Sequence, residues 1–202
     1  MSHNIDKIIF INLEKRKDRL YEITNELDNY NLKGERFNAI EHSNGAVGCA
    51  YSHLSILKIA KDNNYKNILI LEDDFMFNVS KENFENEINR FFTNIPDYDV
   101  CMISCAVIEK ENIDKYEFVD RILFGQTASG YLVNNHYYDK LIELYEYNIP
   151  LLEQTGQHWI YANDVIWKQL QEKDRWFFIN KRLGKQRPGF SDLGQTYVDY
   201  GC

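Results

Sequence analysis

An α/β fold on a mostly parallel sheet is predicted by three features of the chain. Strand-like apolar runs stand at 7–13 (KIIFINL), 67–71 (NILIL) and 98–104 (YDVCMIS). Segments of helical periodicity separate them, as strand–helix–strand crossovers require. Polar clusters follow the first two runs directly, and ligands of open α/β sheets bind at the carboxyl ends of the strands.

The elements follow in order. After 7–13, Leu20, Ile23, Leu27 and Tyr30 recur at helical spacing. Residues 34–40 (GERFNAI) alternate weakly and read as a second strand. Asn44 to Gly48 is turn-rich and reads as a loop, and 49–63 reads as a helix with Leu54, Leu57 and Ala60 or Ile59 on one stripe. Residues 67–71 carry four consecutive aliphatic side chains, Ile68 to Leu71, the mark of a strand buried on both faces. Ser80 is an N-cap for a helix to Phe92 that turns Phe84, Ile88 and Phe91 inward. Beyond the strand at 98–104, residues 106–120 are polar and loop-like, and 127–133 (TASGYLV) is a strand. Asn134 or Asn135 caps a helix carrying Leu141, Leu144 and Tyr145, and Asn163 caps a shorter one over 164–171. Residues 176–179 (WFFI) form a last strand before a glycine-containing tail.

A length of 202 residues accommodates one domain, taken as 1–202, with a substantial core. Hydrophobic residues at 44% and charged residues at 27% exclude a disordered chain. The net charge of −8 without any basic run excludes nucleic acid as an expected partner. An anionic ligand would need a cation or local Arg and Lys to be held against that charge. The cysteines (Cys49, Cys101, Cys105 and Cys202) show no zinc-motif spacing and suit a reducing compartment. The first residues lack the apolar run of a signal peptide, and no segment is long enough to span a bilayer, so the expected location is cytoplasmic.

Three stretches carry candidate chemistry. Glu72-Asp73-Asp74 ends the most apolar strand. At about 5 Å and an effective dielectric near 20, each charged pair would repel by roughly 3 kcal/mol. Water or a cation relieves that; a hard divalent ion such as magnesium or manganese is commonly held by one or two carboxylates and a substrate's phosphates. The stretch 48–55 (GCAYSHLS) sets Ser52 and His53 near a helix start, where free N–H groups favour anions; a satisfied buried histidine is the plainer reading of His53. Arg16 and Arg19 follow the first strand and suit a bidentate grip on phosphate, or else a solvated basic helix start.

Taken as a set, FINLEKRKDRL, GAVGCAYSHLSILK and ILILEDDFMF resemble glycosyltransferase family 25, which includes lipopolysaccharide-assembling transferases and collagen galactosyltransferases. TASGYLV and QRPGFSDL are similar to later segments of that family, so the resemblance spans most of the chain. Two departures stand out: Ser129-Gly130 precedes Tyr131 where alanine is more usual, and 162–164 lacks a proline often found before the corresponding acid. The resemblance implies a GT-A-like fold, a UDP-linked sugar donor (UDP-glucose or UDP-galactose), a manganese or magnesium ion and transfer with inversion. It implies Asp74 as direct metal ligand, Asp73 in support, Glu72 facing ribose or donor sugar, and Asn12, Leu13, Arg16, Arg19, Ser52 and His53 in the donor pocket. His158 would complete the metal shell, and Asp164 or Asp192 would be the general base. Trp159, Tyr161 and Trp176 would stack on a sugar or pack in the core. The acceptor would be a glycan or protein hydroxyl.

Two other readings compete. A catalytically silent relative would bind nucleotide or sugar as an interaction module; the complete acidic triplet speaks against it. A phosphotransfer domain would need a nucleophilic Asp after the first strand, where FINLEK offers none.

Overall fold

The computed structural model of the protein describes residues 4–191 and 196–201. In chain order it contains β1 (Lys7–Asn12), α1 (Lys17–Asn29), β2 (Gly34–Asn38), α2 (Gly45–Asp62), β3 (Asn67–Glu72), β4 (Phe75–Phe77), α3 (Lys81–Asn94), β5 (Val100–Asn112) and β6 (Val119–Asn134). A 3-10 turn at Asn135–Tyr137 leads into α4 (Tyr138–Thr155), α5 (His158–Tyr161), α6 (Asn163–Ile166) and α7 (Lys168–Gln171). β7 (Trp176–Ile179), β8 (Gly184–Gln186), β9 (Gly189–Ser191) and β10 (Thr196–Val198) follow.

Six strands form the central sheet in the order β2-β1-β3-β6-β5-β7. β1 runs parallel to β2 and β3, and β7 runs parallel to β5; β6 alone is reversed, antiparallel to both β3 and β5. Alternate side chains of each strand serve opposite faces. Ile9, Ile11, Ile68 and Ile70 pack with α2 and α4 through Leu57, Leu141 and Tyr145. Ile8, Phe10, Leu69 and Leu71 pack with α1 and α3 through Ile23, Phe84 and Phe91. Burial on both faces explains the apolar run from Ile68 to Leu71.

Several expected boundaries move. Residues 45–48 belong to α2, capped by Asn44, whose side chain accepts from the Ala46 N–H at 3.1 Å. A Cβ on Gly48 would lie 2.4 Å from the Ile40 carbonyl oxygen, so the close approach that glycine permits is to backbone. The 106–120 segment is not a loop: β5 and β6 run through its two ends as a hairpin whose β5 arm is exposed over 108–112 while Val119 of the β6 arm is buried. Arg121 pairs with Glu111 at 3.0 Å across it, polar cross-strand pairing that leaves no apolar alternation to detect. Ser80 caps α3 as expected, its Oγ accepting from the Asn83 N–H. The helix over 164–171 is two short ones, α6 and α7. Asn163 does not cap: the cap position is Ala162, and the Asn163 amide is turned to Cys49.

The phenyl ring of Phe75 is wedged between two glycines. A Cβ on Gly130 would approach it to 2.8 Å and one on Gly184 to 2.0 Å. Ser129-Gly130 thus makes room for an aromatic immediately after the acidic triplet. Gly184→Ala is expected to cost about 1–3 kcal/mol through overpacking. At roughly 2–4 °C per kcal/mol for a chain of this size, a melting scan would register a fall of several degrees.

Candidate functional site

The carboxyl ends of β1 and β3 lie side by side, with Ile11 paired to Glu72. Asn12, fully buried at the end of β1, donates from its amide to Asp73 Oδ2 at 2.8 Å and to the Arg16 carbonyl at 3.0 Å. Its own oxygen accepts from Arg36 Nε at 2.9 Å, so both ends of the Asn12 amide are fixed. The chain then turns through Asp73 and Asp74 before β4.

One guanidinium spans both aspartates. Arg19 Nη1 donates to Asp73 Oδ1 and Asp74 Oδ2, each at 2.9 Å, while Nη2 donates to the Phe190 carbonyl at 2.8 Å. Gln186 Nε2 donates to Asp74 Oδ2 at 3.0 Å, and the Arg187 N–H binds the Asp74 carbonyl. Among the described residues Asp74 Oδ1 is buried without a partner. Burial, then the nearby Glu72 carboxylate, pushes the Asp74 carboxyl up to about 7 against the pull of Arg19. Burial also raises Asp73, with Arg19 and Asn12 opposing. Burial works against the Arg19 charge, but Asp74 and Asp73 hold it above the usual guanidinium value.

A crevice of about 330 Å³ opens in front of this group, lined in part by Leu13, Lys15, Arg19, Ser52, Glu72 and Asp74. Lys15 and Arg19 line it together with Glu41, Glu72, Asp73 and Asp74, so carboxylates outnumber cations on its wall. A hollow of about 340 Å³ adjoins it and shares Cys49, Glu72, Gln186 and Ser191. Asp164 and Asn163 line this second hollow. Asp164 Oδ2 accepts from the Thr127 N–H at 3.1 Å. Thr127 has φ of +74° and sits in the irregularity where the β5–β6 register shifts, so Asp164 braces a strained turn.

Ser52 and His53 lie two turns inside α2 and not at its start. Ser52 Oγ donates to the Gly48 carbonyl at 2.7 Å and accepts from the Ile40 N–H at 2.9 Å, tying β2's exit to the helix. His53 is fully buried, with Nδ1 2.7 Å from Tyr131 Oη and Nε2 3.3 Å from Glu72 Oε1. Cys49, one turn earlier, has its Sγ 3.8 Å from the same Glu72 oxygen and 3.1 Å from the Asn163 amide nitrogen. Burial first, then Glu72 and Asp164, raises the Cys49 thiol well above its usual value.

The other sequence-derived candidates are dispersed. Arg16 turns to Asp18, Nη2 to Oδ2 at 2.7 Å. His158 is exposed on α5, its ring edge against Trp159, and it borders neither hollow. Trp159 is exposed, whereas Trp176 is buried and donates to Tyr137 Oη at 3.1 Å, a core role. Asp192 lies outside the described residues. Gln186, Cys49 and Asn163 join the site without having been singled out. The signals were present, in the QRPGFSDL segment and in the stretch between Gly48 and Ser55, but their partners are remote in sequence.

A family profile described as glycosyltransferase family 25 (LPS biosynthesis protein) matches residues 41–155. No curated protein matches the chain by sequence. Among solved structures, A197 from STIV superimposes with a TM-score of 0.50 at 12% identity, covering 96% of this chain and 93% of its own. Mannose-1-phosphate geranyltransferase from Thermus thermophilus gives 0.52 at 7% identity, covering 90% and 73%. The glycosyltransferase GlyE of Streptococcus pneumoniae gives 0.52 at 12% identity, covering 87% of this chain but 45% of that one. At these identities the likeness is one of fold, and the fold is GT-A-like.

Proposed function

The chain belongs to glycosyltransferase family 25 and is a glycosyltransferase, and from that premise we propose that it moves a hexose from a UDP-sugar to a glycan or protein hydroxyl, with inversion and with a divalent metal at the acidic triplet. The observation that carries this reading is Asp74. Its Oδ1 is buried and has no partner among the described residues, and Asp74 lines the crevice beside Glu72 and Asp73. A lone buried carboxylate oxygen fits a hard cation such as manganese or magnesium. Asp74 would be the direct ligand, and Asp73, oriented by Asn12 and Arg19, would support it. A metal held there supplies Lewis-acid neutralisation of the departing diphosphate.

The remaining roles fall to the chain's own groups. Arg19 uses three of its five N–H donors on Asp73, Asp74 and Phe190. The other two would serve an incoming phosphate. Leu13 and Ser52 line the crevice in which the nucleotide would lie, and one face of Glu72 borders it. Asp164, in the adjoining hollow, would take the proton of the acceptor hydroxyl from the side away from the diphosphate.

Arg19 also lends weight to a second reading, a silent nucleotide-binding relative, because its one positive charge already pairs with both aspartates. A panel of nucleotide sugars with manganese, scored for free nucleoside diphosphate, separates the two. Metal-dependent release from a UDP-hexose is expected; saturable binding of UDP with no release from any donor would favour the silent module.

A further inference from the structure

On the inner wall of the crevice Cys49 and Glu72 meet the buried His53, a sulfur and a nitrogen ligand beside one carboxylate of the triplet. We propose that Cys49, His53 and Glu72 bind a zinc-class ion through three protein ligands, with a fourth position open to the two hollows. Cys49 and His53 stand one turn apart on the same face of α2, and Glu72 is the last residue of β3, so all three project from regular elements. One ligand atom from each lies within 4.8 Å of the others.

The separations decide between a cation site and a hydrogen-bonded cluster. His53 Nε2 is 3.3 Å from Glu72 Oε1, and Cys49 Sγ is 3.8 Å from that same oxygen. Both are long for hydrogen bonds. Zinc bonds of about 2.3 Å to sulfur and 2.0–2.1 Å to nitrogen and oxygen set tetrahedral ligand atoms about 3.3–3.7 Å apart. Two edges of the triangle are therefore close to those of a tetrahedron. The third, from Sγ to Nε2, is within 4.8 Å and would shorten by up to about 1.2 Å, a shift asked of Cys49, which is partly exposed.

The supporting groups point the same way. Tyr131 Oη engages His53 Nδ1 at 2.7 Å, which turns Nε2 toward Glu72. The imidazole lies parallel to Tyr145, with 4° between the planes, and edge-on to Trp167, so its orientation is fixed by packing. The Asn163 amide donates toward Cys49 Sγ at 3.1 Å and would support a thiolate. Partners of this kind orient ligands at metal centres. A thiolate and an imidazole with one carboxylate favour zinc over manganese or magnesium, which take oxygen ligands. Cys49 and Glu72 border both hollows, so the fourth position would accept water or a sugar oxygen.

The site borrows Glu72 from the acidic triplet but does not use Asp74, and its test needs no donor or acceptor. The metal-free full chain would be titrated with zinc against a chromophoric chelator, and with cobalt while thiolate-to-cobalt charge-transfer absorption is followed. One equivalent of zinc and a thiolate–cobalt band are expected. Cys49→Ser should remove the band, and Glu72→Gln should weaken zinc at least about 100-fold, since even outer-layer partners contribute 10–100-fold. Asp74→Asn and Cys202→Ser should leave both signals in place. A folded wild-type chain that gives no thiolate–cobalt absorption would overturn the proposal whatever the variants do. So would a band that persists in Cys49→Ser.

Discussion

Asp74→Asn is expected to abolish the rise in melting temperature that UDP and manganese together give the wild type. At 100 times its dissociation constant a ligand stabilises by about 2.7 kcal/mol. For a chain of this size that is roughly 5–11 °C. The substitution keeps the size of the side chain and removes the charge from Oδ1 of Asp74, the buried triplet oxygen without a partner among the described residues. The variant should fold, because the wild-type carboxylate is itself costly where it stands: burial and Glu72 raise it to about 7. An acid whose folded value lies above its unfolded one favours the native state at low pH, and the contribution is lost as pH rises through the interval from about 4 to about 7. Asp74→Asn should flatten this slope, as melting scans across that window would show. An equal UDP shift in EDTA, or an undiminished manganese shift in the variant, would remove Asp74 from the metal site.

How far the sequence reached depends on what each residue answers to. The strand at 67–71 was legible because both of its faces are covered, so burial alone dictates its residues. The triplet after it was legible as a charge problem, but the Asn12 amide's bond to Asp73 was not. The solution to that problem was not legible. Arg19 is 54 residues from Asp73, and Gln186 is 112 from Asp74. No local pattern announces pairings set by the meeting of α1 and the C-terminal ribbons at one sheet edge. The outer β5 arm was missed for the opposite reason: residues 108–112 are exposed, and ion pairs such as Glu111 with Arg121 replace the apolar alternation that reveals a strand. Cys49 and His53 form a C-x-x-x-H pair, a spacing that acquires meaning only once β3 brings Glu72 beside them.

The largest effect is expected at Asp164. If it takes the acceptor's proton, Asp164→Asn should lower transfer by about 10²–10⁴-fold while donor and metal binding stay near wild type. The structural alternative is concrete: the carboxylate holds the Thr127 N–H at a turn with positive φ. Asparagine preserves that bond, since its amide oxygen accepts from the same donor, so bracing survives and proton abstraction does not. Asp164→Ala removes both functions, and its additional loss of melting temperature over Asp164→Asn measures the brace alone. Three measurements therefore separate the roles: transfer rate, UDP affinity in manganese, and melting temperature. A normal rate in Asp164→Asn would place the base elsewhere, with Asp192, next in the chain after the hollow-lining Ser191, as the first position to examine. Lost donor affinity together with lost transfer would assign Asp164 to the donor pocket and end its candidacy as base. The chemistry favours the first outcome, a slowed transfer with binding intact, because Asp164 borders the hollow beyond Glu72 and not the crevice of Arg19 and Asp74, which is the separation an in-line displacement requires of its base and its leaving group.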